Sequence, residues 1–65
     1  MYPRIVIGYS EGSAQFGKKN HNSIYEYMIS KGFEHDVAAD VADWAEIASV
    51  GEEYELDGFD IFIVD

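Results

Sequence analysis

Asp36-Val37-Ala38-Ala39-Asp40-Val41-Ala42-Asp43-Trp44-Ala45-Glu46-Ile47-Ala48-Ser49 and, after a short gap, Glu53-Tyr54-Glu55-Leu56-Asp57-Gly58-Phe59-Asp60-Ile61-Phe62-Ile63-Val64 are the stretches from which the fold can be read. In the first, Val37, Val41, Trp44, Ala45 and Ala48 recur at the spacing of one helix face. Asp36, Asp40 and Asp43 form a ridge on the opposite side, with Glu46 beside it. A helix over about residues 36–49 is predicted, and its alanines allow neighbouring elements to approach closely. Ile47 breaks the pattern, because it falls near the acidic ridge. In the second stretch, Asp57-Gly58 separates two strand-like runs, and Asp-Gly readily adopts the tight turn of a β-hairpin. Phe59, Ile61 and Ile63 alternate with Asp60, Phe62 and Val64, which leaves apolar residues on both faces and suits a strand in the interior of a sheet.

Working outward, Tyr2 to Tyr9 reads as the first strand, with Ile5, Ile7 and Tyr9 on one face and Arg4, Val6 and Gly8 on the other. Pro3 is tolerable at its start. Ser10 to Asn22 is rich in Ser, Gly and Asn and is expected to be a loop. A short helix follows, with Ser23 and Glu26 in the spacing of a capping box and Gly32 as its stop. Ile24, Tyr27 and Met28, with Tyr25 at the margin, make its packing face. The expected fold is α+β in the order β-α-α-β-β. It is a three-stranded sheet with a helical hairpin on one face, the first strand beside the last and the middle strand at an edge.

The 65 residues form one domain (residues 1–65), near the lower size limit for folding alone. With no cysteine, no disulfide or thiolate chemistry is available. The longest apolar runs, Ile5-Val6-Ile7 and Ile61-Phe62-Ile63-Val64, are too short to cross a bilayer. The N-terminus opens directly into a strand-like stretch, so no signal peptide is expected and a cytoplasmic location is the default.

Charge carries more information. The chain has a formal net charge of −9, and residues 34–65 hold eleven of its 13 acids and none of its four Lys and Arg. Direct binding to nucleic acid or to an anionic membrane is disfavoured by repulsion.

No catalytic, cofactor-binding or metal-binding residues are expected. Gly12-Ser-Ala-Gln-Phe-Gly17-Lys18-Lys19 matches a phosphate-binding loop up to its last position, where Lys19 replaces the Ser or Thr that would hold Mg²⁺. A simple loop with two lysines is the better reading. His21 and His35 lack a third ligand at zinc spacing. Glu52, Glu53, Glu55, Asp57 and Asp60 lack the alternation of a calcium loop. Acids projecting from so small a domain do not make a catalytic pair, so an enzyme is not expected.

Two readings of the acids stand. Helical carboxylates one turn apart are spaced about as phosphates along a nucleic-acid strand are, near 6 Å. Asp36, Asp40, Asp43 and Glu46, with Glu53 and Glu55 of the hairpin, would then contact a protein partner with a basic surface, as a nucleic-acid mimic does. Alternatively the acids serve solubility. The chain would then be a structural or self-associating module, in which Tyr and Trp side chains such as Tyr25 and Tyr54 supply contacts and a homodimer is one form.

The run Ala39-Asp-Val-Ala-Asp-Trp-Ala-Glu-Ile-Ala-Ser-Val-Gly-Glu52, within Ala38 to Val64, resembles short acidic proteins of uncharacterised role encoded by bacterial phages and mobile elements. The resemblance covers the last two fifths of the chain and contains no catalytic motif. It implies a small inhibitor or regulator, and no site residue is carried over from it.

Overall fold

A computed structural model describes residues 3–17 and 20–65. The elements run β1 (Arg4–Tyr9), β2 (Gly12–Gly17), α1 (His21–Ser30), α2 (His35–Ile47), β3 (Glu53–Leu56) and β4 (Phe59–Val64). All strand pairs are antiparallel, and the sheet order is β2-β1-β4-β3. The architecture is α+β, as expected, but the described sheet has four strands where three were predicted.

The additional strand is β2, inside the stretch expected to be a loop. Tyr9 pairs with Gly12 across the two-residue turn Ser10-Glu11, and the register continues to Arg4 opposite Gly17. Ala14 and Phe16 turn inward and are half-buried, whereas Ser13 and Gln15 are exposed. An edge strand needs only one such modest face, because its single neighbour supplies the pairing. Strand formation also removes the Gly12–Gly17 arc that a phosphate-binding loop requires; Lys18 and Lys19 lie outside the described residues.

The start of α1 is also corrected. The helix begins at His21 with Asn20 as its N-cap residue, and no side-chain cap bond forms, so Ser23 lies inside the first turn rather than capping it. The Gly17 carbonyl accepts from the Asn20 N–H at 3.0 Å, and the Asn20 carbonyl accepts from the Ile24 N–H at 3.0 Å. These bonds start the helix directly off the end of β2. Its C-terminal end is as expected: Gly32 has φ +95°, donates to the Ile29 carbonyl, and lets Phe33 donate to the Met28 carbonyl. That pair of bonds is the Schellman motif, which needs a left-handed residue at this position.

The predicted hairpin is present. Asp57 (φ 21°) and Gly58 (φ 85°) both take positive φ, as a type I′ turn demands. β4 is an interior strand, flanked by β1 and β3, and the first strand lies beside the last with β3 at an edge. Tyr2, included in the predicted first strand, falls outside the described residues.

Both helices cover one face of the sheet. Ile5 opposite Ile63 and Ile7 opposite Ile61 form its centre and are buried. They meet Ile24 and Met28 of α1 and Ala38, Val41, Ala42 and Ala45 of α2, with Ala48 just beyond. The buried stripe of α2 is thus centred on Ala38, Val41, Ala42 and Ala45, while Val37 and Trp44 stand at its flanks, half-buried. Small side chains at the centre bring the helix backbone close, and the bulky indole moves to the rim. There Trp44 meets Tyr54 edge-on at 5.3 Å. Other aromatic pairs continue the rim: Phe16 with Tyr27, Tyr9 with Phe59, and Phe33 with Phe59.

The second sheet face is open to solvent. Val6, Phe62 and Val64 lie on it, with Phe62 36% exposed, among Arg4, Gln15, Glu53, Glu55 and Asp60.

Candidate functional site

The acids fall into two groups in different layers. Asp36, Asp40, Asp43 and Glu46 are exposed on α2, on the side turned away from the buried alanine stripe. Glu53 and Glu55 lie on β3, where the alternation of the strand sends their side chains to the open sheet face. The expected contact residues therefore do not form one surface. The body of α2 and the sheet itself lie between the ridge and the open sheet face.

On the ridge, successive helical residues advance by about 100°, so Asp36, Asp40 and Asp43 stay within one narrow stripe. Ile47 lies on that stripe and is 82% exposed; Val50, just past the helix end, is 53% exposed. Among the described residues, the one side-chain hydrogen bond to a ridge carboxylate comes from His21, whose Nε2 lies 2.8 Å from Asp43 Oδ1. Glu46 is close as well: the His21 nitrogen, an Asp43 oxygen and a Glu46 oxygen all lie within 4.8 Å of one another. Sequence distance concealed this cluster, because His21 opens α1 and the two acids sit one turn apart on α2.

On the open sheet face, Glu55 stands opposite Asp60, with Glu53 two residues along the same strand. Carboxylate oxygens of the three lie within 4.8 Å of one another, and all three residues are exposed. Like charges directly opposite in a sheet repel. The shallow depression beside them is lined by Glu55 to Asp60, residues of one hairpin, and gathers no group from another part of the fold.

Among the other candidates, His35 is exposed and its Nδ1 bonds the Tyr25 hydroxyl. Tyr25 and Tyr54, considered as exposed contact residues, are half-buried. Lys31 sits over the Tyr9 ring, 4.7 Å from its centroid, and donates to the Tyr9 hydroxyl at 3.0 Å. Its ammonium is therefore committed to the aromatic rim, at the C-terminal end of α1 rather than beside the ridge. Tyr27, the other aromatic neighbour, lies 5.3 Å from the same nitrogen. Burial pushes the Tyr27 hydroxyl above the usual tyrosine range, and the Lys31 charge offsets part of that rise.

Comparison with known family models, curated proteins and solved structures gives no match. No described helix is long and apolar enough to cross a membrane.

Proposed function

We propose that the chain is a small non-enzymatic binding protein that offers the α2 ridge to a protein partner with a basic surface, in the manner of a nucleic-acid mimic. An inhibitor or regulator encoded by a phage or mobile element fits this reading. The observation that carries it is Ile47. A stripe kept only for solubility gains nothing from an isoleucine 82% exposed among its acids. A contact surface does, because an apolar anchor inside a charged rim supplies affinity while the carboxylates steer encounter and fix register. Asp36, Asp40, Asp43 and Glu46 form the rim, and Val50 extends the anchor. Glu53 and Glu55, on the other layer, belong to this interface only if the partner wraps around the molecule.

The test is capture from bacterial lysate at low and high salt, followed by competition with duplex DNA. A partner should be retained at low salt, released at high salt and displaced by DNA. It should be lost with either Ile47→Ser or the triple variant Asp36→Asn, Asp40→Asn, Asp43→Asn. Equal capture by the triple variant would refute the mimic.

A second reading, self-association, has its own support at β2. The bonds of Ile63 to Glu52 and Gly51 show that odd-numbered residues of β4 face β3. Alternation then turns the backbone groups of Ser13 and Gln15 to the outer side of β2. This edge is uncharged, whereas the opposite edge presents Glu53 and Glu55, the kind of charge that discourages strand addition. A salt-tolerant dimer in sedimentation would favour this reading over the mimic.

A further inference from the structure

We infer that His21, Asp43 and Glu46 form a binding site for a first-row divalent cation of borderline softness, Zn²⁺ foremost. The site shares Asp43 and Glu46 with the ridge proposed above, but its test needs no partner and can fail without that reading failing. The three side chains come from two helices packed directly on each other, so their backbone positions are set by the core rather than by a loop. His21 Nε2 is 2.8 Å from Asp43 Oδ1, and a Glu46 oxygen completes a group within 4.8 Å. Donor atoms around a tetrahedral zinc ion, with bonds of about 2.0–2.2 Å, stand roughly 3.3–3.5 Å apart. The group is thus within about 1.5 Å of closing on an ion, a distance that side-chain rotation can supply. That rotation is open to it, since the His21 and Asp43 side chains are 41% and 69% exposed.

One imidazole nitrogen with two carboxylates selects the class of cation. Mg²⁺ and Ca²⁺ prefer oxygen donors throughout, whereas imidazole suits zinc and its neighbours. Three protein ligands leave one position for water, so the site is an open one. Electrostatics add to the case. Asp43 and Glu46 are like charges one turn apart, and among the described residues no Lys or Arg bridges either of them. A divalent ion would replace the His21–Asp43 contact and neutralise both acids together. It would also tie the start of α1 to α2 at the point where α1 has no side-chain cap.

The contrast with the second acidic cluster makes the test specific. Glu53, Glu55 and Asp60 offer oxygen alone on the other face. The chain has two histidines, and His35 is engaged with Tyr25. Zinc chloride titrated into the full chain, followed by calorimetry and by imidazole NMR, should show one site. His21 ring signals should shift and those of His35 should stay. His21→Ala and Glu46→Gln should each weaken zinc binding at least tenfold, while Glu55→Gln/Asp60→Asn leaves it within twofold. Millimolar Mg²⁺ should not displace the zinc. Unchanged affinity in His21→Ala would overturn the inference, and so would zinc shifting His35 while His21 stays. The NMR measurement uses the unaltered chain and so stands even if a variant fails to fold.

Discussion

Gly32 and Gly58 are among the residues whose identity the backbone directly requires. Gly32 closes α1 at φ +95° with open space around a would-be Cβ, so a side chain there would suffer from its backbone conformation and not from a clash. Gly32→Ala should therefore cost about 1–2 kcal/mol, read as a lowered urea midpoint with unchanged slope. Tyr27 and Lys31 supply a second residue-level expectation. Lys31 holds its proton more tightly in the folded chain, first because it bonds the Tyr9 hydroxyl, against a smaller opposing effect of burial. Tyr27 does so first because burial disfavours the phenolate. Folded values raised above unfolded ones contribute stability that is complete below the unfolded values and lost as pH rises through the folded ones. The contribution of this pair should thus stay level from neutrality to about pH 10 and fall only above it. Thermal midpoints across alkaline pH would show the decline. An ultraviolet titration should show Tyr27 ionising above the usual tyrosine range.

At the scale of elements, α2 and β2 each make a distinct prediction. Asp40 has Asp36 four residues before it and Asp43 three residues after it, so its charge meets two like neighbours on one stripe. Asp40→Asn should raise stability by about 0.5 kcal/mol at low ionic strength, and the gain should shrink as salt screens the ridge. Chemical denaturation at two salt concentrations measures both. In β2, the same alternation that frees Ser13 and Gln15 turns the backbone groups of Ala14 and Phe16 toward β1. Amide exchange should find Ala14 and Phe16 protected and Ser13 and Gln15 fast, whereas a loop would leave all four unprotected. The composition of Gly12–Gly17 hid this strand, because its glycines, Ser13 and Gln15 resemble a loop and only Ala14 and Phe16 alternate as a strand does. The hairpin Glu53–Val64 was legible because its turn and both its strands carry local signals that agree.

At the scale of the whole molecule, stability rests on a small aliphatic centre under a large charge imbalance. A core in a domain of this size gives about 3–5 kcal/mol of net stability. Ile61→Ala, which empties a fully buried position between β1 and β3, should cost about 2–5 kcal/mol and leave much of the chain unfolded at 25 °C. Circular dichroism would show the loss. The net charge of −9 sets up two opposite salt effects. Added salt should raise the unfolding midpoint of the free chain by screening self-repulsion, yet weaken its hold on a basic partner. The features set by composition and local periodicity are the amphipathic α2, the Asp57-Gly58 hairpin, the first strand and the acidic second half. Each follows from residues within a few turns or one strand of each other. The fourth strand, the division of the acids between the helical layer and the open sheet face, and the meeting of His21 with Asp43 and Glu46 arose only on folding. Strand pairing and helix packing join residues far apart in the chain, and no local pattern encodes which distant groups those contacts bring together.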